Sequence, residues 1–102
     1  MNKNNLENIK AMAELIKKKF SPEKVILFGS YACGKPKTGS DIDLCIIMET
    51  KLKPYKQAAL IRKILPSSIP IDIIVRTPEI VKKRLKMGDF FIKTIIEKGI
   101  YL

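Results

Sequence analysis

The sequence predicts an α/β (α+β) domain, a short mixed sheet with flanking helices, on three observations. Short runs rich in β-branched residues alternate with stretches whose apolar residues recur at helical spacing. Gly and Pro punctuate most of the junctions between them. The chain has 102 residues, 46% of them apolar, enough for one core with no room for a second. Residues 1–102 are therefore expected to form a single domain.

Leu6, Ile9, Ala13, Ile16 and Phe20 step by threes and fours, which marks one face of an amphipathic helix with Lys10 and Lys17 to Lys19 mostly toward solvent. Ser21-Pro22-Glu23 stops it. Lys24 to Phe28 (KVILF) reads as a first strand and empties into Gly29-Ser30. Tyr31 to Ser40 carries two Gly, one Pro and two Lys, a loop after about one helical turn. Ile42 to Met48 is a second strand. Pro54 suits the first position of a helix, and Ala58, Ile61 and Leu65 share one face of Tyr55 to Leu65. Pro66 to Pro70 breaks the chain before a third strand, Ile71 to Val75. Thr77-Pro78-Glu79 is a strong helix start: a capping hydroxyl, a proline, then an acid at the positive dipole end. That helix runs to about Met87, where Gly88 closes it, and Phe90 to Lys98 is a last short helix ended by Gly99. Phe90 and Phe91 read as core or interface anchors, and Met12 and Met87 as gap fillers. The apolar tail Gly99 to Leu102 packs either at home or against a partner.

The chain contains no histidine. That removes a Ser-His-Asp triad, a Cys-His pair, an imidazole base and a His-ligated metal, so acid–base or metal chemistry must rest on carboxylates. Cys33 and Cys45 are too few for a disulfide scaffold or a zinc site, and Cys45 reads as a small core residue. The N-terminal segment has no apolar stretch of the signal-peptide kind. No apolar run approaches the roughly 20 residues of a membrane helix, so a cytoplasmic protein without membrane contact is expected. Twenty basic residues against ten acidic ones leave a net charge of +10, which suggests an anionic partner. The excess is uneven: residues 25–50 carry −1 and residues 51–102 carry +8. With no aromatic-rich strand and no zinc pattern, specific nucleic-acid binding is not expected.

Three acids stand out. Asp41 and Asp43 are two apart, so on one strand they would share a face, with Ile42 and Leu44 on the other. Carboxylates about 6 to 7 Å apart along a strand can share a hard cation, and without one their repulsion is unfavourable. Asp72 lies inside IPIDIIV, which otherwise reads as a buried strand, so it needs a partner. Arg62, Arg76 or a Lys would serve. If the second and third strands are neighbours, Asp72 instead joins Asp41 and Asp43 to make an oxygen-donor site suited to Mg²⁺. Gly29-Ser30, between a strand and a helical turn, is a place where the backbone can approach a phosphate and where free N–H groups and a hydroxyl can hold its oxygens.

Gly29-Ser30-Tyr31-Ala32-Cys33-Gly34, then Ser40-Asp41-Ile42-Asp43-Leu44, then the strand acid Asp72, together resemble the nucleotidyltransferase superfamily related to DNA polymerase beta. The length is similar to that of its minimal, single-domain members, and the resemblance covers most of the chain. It implies the small nucleotidyltransferase fold and transfer of a nucleoside monophosphate from a nucleoside triphosphate to a hydroxyl. It implies two Mg²⁺ ions on Asp41 and Asp43, with Asp72 sharing the nucleophile-side ion and able to accept the hydroxyl proton. Gly29, Ser30 and Ser40 would bind the nucleotide. The family often has Arg where this chain has Tyr31 and Cys33, and Lys35 and Lys37 in the same loop are the compensating cations.

Minimal nucleotidyltransferases are commonly the antitoxin of a toxin–antitoxin pair. The resemblance therefore implies AMP transfer from ATP onto a tyrosine of a helical HEPN-type toxin. A binding module that neutralises its partner by contact alone, and an aminoglycoside-type transferase, are the alternatives. The basic helices after Lys51 are then expected to form a docking face or an approach field for ATP and an acidic partner.

Overall fold

The computed structural model describes residues 3–36 and 39–102. Along the chain run α1 (Lys3–Phe20), β1 (Lys24–Phe28), β2 (Ile42–Ile47), α2 (Pro54–Lys63), β3 (Ile71–Arg76), α3 (Pro78–Lys86), α4 (Phe90–Lys98) and β4 (Ile100–Tyr101). The sheet order is β3-β2-β1-β4. β2 and β3 pair in parallel, joined through α2, while β1 pairs antiparallel with both β2 and β4. The sheet is therefore mixed, as the sequence predicts.

Strand alternation divides the apolar residues between two faces. Val25, Leu27, Ile42, Leu44, Ile46 and Val75 meet Ile9, Met12, Ala13 and Ile16 of α1 and Ile61 of α2 in the larger cluster. Ile26, Cys45 and Ile47 meet Val81 of α3 and Ile92 and Ile95 of α4 in a smaller one. Burial raises the Cys45 thiol to about 11 against a weaker opposing pull from Arg76, so it behaves as a core residue.

The helix signals act as read. Thr77 Oγ1 accepts from the Ile80 N–H at the start of α3. Asp89 caps α4 by accepting from Ile92 N–H through Oδ1, and its Oδ2 pairs with Arg84 at 3.1 Å. α2 ends at Lys63, two residues short of the expected boundary, because the chain turns at Ile64.

The structure decides the open alternative for the tail and corrects the readings of Met87, Phe90 as a core anchor, and Asp72. The tail packs at home: Ile100–Tyr101 form β4, and Leu102 N–H donates to Val25 O. Two residues carry no readable strand pattern, and the pairing partner lies far away in sequence. Met87 is no gap filler, being 65% exposed at the α3–α4 turn, and Phe90 is 79% exposed rather than a core anchor. Asp72 is exposed, because β3 is an edge strand rather than a covered one. Asp41 lies just before β2, in keeping with a second strand that starts at Ile42. No helix among the described residues is long and apolar enough to cross a membrane.

Candidate active site

The parallel register sets Asp43 directly beside Asp72, and the antiparallel register sets Phe28 directly beside Asp43. Register partners share a face. Phe28, Asp43 and Asp72 thus form one row across three strands, at the end of the smaller apolar face. Asp41 adjoins the row where β2 begins, and the Ile42 N–H donating to Pro70 O at 2.9 Å ties that entry to the start of β3.

Electrostatics mark the row. Asp43 is half-buried, and its carboxyl is raised above the ordinary 3.8, first by burial and then by the charges of Asp72 and Asp41. Neither arginine expected to neutralise Asp72 does so. Arg62 donates to the carbonyls of Leu65, Pro66 and Ile69, and Arg76 donates to Val75 O. Among the described residues the ion pairs are Glu14–Lys17 and Arg84–Asp89, and neither touches the row.

Gly29 turns the chain at the end of β1 with φ 76°, a conformation open to glycine. A Cβ there would land on Asp43 Oδ2 and lie 3.2 Å from Asp43 Cγ. The glycine therefore lets the backbone pass against the carboxylate. One helical turn follows, in which Ala32 and Cys33 N–H groups donate to Gly29 O and the Lys35 N–H to Ser30 O. Its hydrogen bonds leave the Ser30 and Tyr31 N–H groups unused within the turn. Ser30 and Ser40 are half-buried, and Lys35 is exposed on the same loop. Lys37 lies outside the described residues. Tyr31 packs against the larger apolar cluster, and Cys33 is exposed.

The structure brings two further groups to the site. Phe91 of α4 meets Phe28 edge to face, ring centroids 5.7 Å apart at 84°. A hollow of about 70 Å³ beside Gly29 is lined by Cys33 from the turn and by Thr94 and Lys98 from α4. Sequence reading missed Lys98, whose only local signal was its place before a helix-ending glycine. The larger hollow of about 460 Å³ runs along α1 past Ala11, Leu15 and Lys18, away from the row.

Among the described residues, no three acid or thiol side chains stand, as positioned, in a group able to hold a metal ion. The donor chemistry still fits a hard cation. The row offers carboxylate oxygens without a neighbouring imidazole, and Asp43 carries a mutual repulsion that a divalent ion would relieve.

Comparison with known proteins bears on the fold and the family. The crystal structure of a candidate nucleotidyltransferase from Sulfolobus solfataricus is similar, with a TM-score of 0.64 at 20% identity, over 94% of this chain and 77% of that chain. At that identity the likeness is one of fold. No curated protein matches. The family model of the nucleotidyltransferase domain matches residues 9–102, a span that contains the Gly29 turn and all three acids. The chain belongs to the nucleotidyltransferase domain family.

Proposed function

We propose that this chain is a Mg²⁺-dependent adenylyltransferase that moves AMP from ATP onto a tyrosine hydroxyl of a cognate HEPN-type toxin, and so acts as its antitoxin. The observation that carries this reading is the carboxylate row, with Asp43 in register beside Asp72, Asp41 adjoining and the Gly29 turn against Asp43.

Asp41 and Asp43 would hold two Mg²⁺ ions, with Asp72 sharing the nucleophile-side one. Bound there, the ions supply charge neutralisation at the α-phosphate and a lowered pKa for the attacking hydroxyl. Asp72, exposed and unpaired among the described residues, accepts the hydroxyl proton directly or through a water. The tyrosine oxygen bonds to the α-phosphorus as the bond from that phosphorus to the bridging oxygen breaks, and pyrophosphate leaves with the electron pair. The Ser30 and Tyr31 N–H groups and the Ser30 hydroxyl face the β,γ-phosphates, with Ser40, Lys35 and Lys37 on the same loop completing the binding.

The open placement of the row supports a large acceptor. Asp41 and Asp72 are exposed, and β3 is an edge strand, so a protein surface can reach the site. The binding-module reading has one observation in its favour. Tyr31 occupies a position where the family often has Arg, and its side chain packs into the core.

Incubating the chain with a candidate HEPN-type toxin, Mg²⁺, and ATP labelled at the α- or γ-phosphate separates the two readings. The expected result is α-label on the toxin, no γ-label, and none of either with Asp43→Ala. A toxin silenced without label would leave the binding module as the correct account.

A further inference from the structure

We infer that Lys98 is a nucleotide-binding residue that contacts the β,γ-phosphates from the α4 side of the Gly29 turn, an inference that rests on the nucleotide reading above. Its seat follows from the pairing of β4 with β1. Ile26 faces Tyr101 and Leu27 faces Ile100. Lys98 and Gly99 directly precede β4, and both line the hollow beside Phe28 and Gly29.

The seat is tightly held. A Cβ on Gly99 would strike Ile26 Cγ2 and Ile95 O, and would lie 3.1 Å from Leu27 O. The chain therefore passes against β1 at a distance open to glycine alone. Gly99 N–H donates to Ile95 O at 2.9 Å, and Tyr101 Oη donates to Ile96 O at 2.8 Å, pinning both sides of the reversal. A lysine at the end of such a helix has its backbone fixed and its ammonium free to reach over the neighbouring hollow.

The chemistry of the hollow also points to an anion. Its lining is largely apolar, with Phe28, Gly29 and Ala32, and the one charged residue among those that line it is Lys98, with no acid. Lys98 takes part in no ion pair among the described residues. Thr94 Oγ1 donates to Phe90 O at 2.8 Å, which commits its proton to the helix. The Tyr31 side chain packs against the larger apolar cluster instead. A polyphosphate beside three carboxylates needs countercharge on its far side. On the α4 side of the turn, Lys98 is the cation that lines the hollow.

The test uses the full chain, with ATP, ADP and AMP as probes in the presence of Mg²⁺. Calorimetry should show ATP binding weakened about tenfold or more in Lys98→Ala, as for loss of one charge-assisted hydrogen bond. AMP binding should change less than about twofold, and Lys98→Arg should stay close to wild type. ATP should also slow alkylation of Cys33 in the wild type, and this protection should vanish in Lys98→Ala. Circular dichroism melts of both variants control for folding. A Lys98→Ala protein that binds ATP as the wild type does, with Cys33 still protected, overturns the role of Lys98 and leaves the nucleotide reading intact. A wild-type chain that binds no ATP overturns both.

Discussion

The two faces of the sheet share the strands β1, β2 and β3 but are finished differently. On one face, α1 and α2 cover Val25, Leu27, Leu44, Ile46 and Val75, and the apolar cluster is continuous. On the other, α3 and α4 cover a smaller cluster around Ile26, Cys45 and Ile47. At its end the row Phe28, Asp43, Asp72 is left only partly covered. Strand β2 shows the contrast residue by residue, with Ile42, Leu44 and Ile46 on the covered side and Asp43, Cys45 and Ile47 on the other. The first face holds the fold together. The second gives up apolar contact to bring like charges together.

The sharpest way to break the comparison is to neutralise the row. Asp43→Asn should reduce nucleotidyl transfer by about 10³-fold, ~4 kcal/mol of transition-state stabilisation, read as α-label incorporated per minute. Asp41→Asn and Asp72→Asn should fall in the same direction. Ile46→Ala on the covered face should instead cost about 2–5 kcal/mol of folding stability in urea melts and, in the fraction still folded, leave transfer nearly intact.

Gly29→Ala touches both properties. The left-handed backbone costs a side chain about 1–2 kcal/mol, and the added methyl falls on Asp43 Oδ2. The expected outcome is a modest loss of stability with a near-complete loss of transfer.

A subtler prediction concerns pH. Asp43 is raised above 3.8 in the folded chain, so the folded state holds that proton more tightly than the unfolded state. The ionised carboxylate therefore costs stability above its raised folded value, and the cost disappears below 3.8. Without metal, Asp43→Asn should be more stable than wild type at pH 7, and urea melts at falling pH should show the difference shrinking. Saturating Mg²⁺ at pH 7 should narrow it as well. The smallest effect is in the thiols. Cys33 should react with a thiol reagent in the native protein, while Cys45, buried and raised to about 11, should react only on unfolding.

Most of this architecture was legible locally. The β-branched runs, the Thr77-Pro78-Glu79 start and the α1 stripe each carry their signal within a few residues, and the structure has them as helices and strands. The acids were legible through their spacing and through the family pattern. What escaped depends on pairing between distant segments. β4 is two residues long, so only its docking on β1 defines it. The end of α4 just before β4 carries Lys98 to the hollow beside Gly29, and helical periodicity cannot report that. Asp72 was read as buried because its neighbours are apolar, yet strand order leaves β3 at the edge. The residue type of Phe90 and Met87 suggests packing, while their exposure at the α3–α4 junction depends on how the two helices meet.

The central claim is that the carboxylate row is the place where metal and nucleotide meet. Titrating Mn²⁺ into ¹⁵N-labelled protein in the presence of ATP tests it most directly, because paramagnetic broadening reports distance from the ion. The predicted result is early loss of the Gly29, Asp43 and Asp72 amide signals, abolished in Asp43→Asn. Broadening spread evenly over the surface, or centred on the hollow along α1, would contradict it.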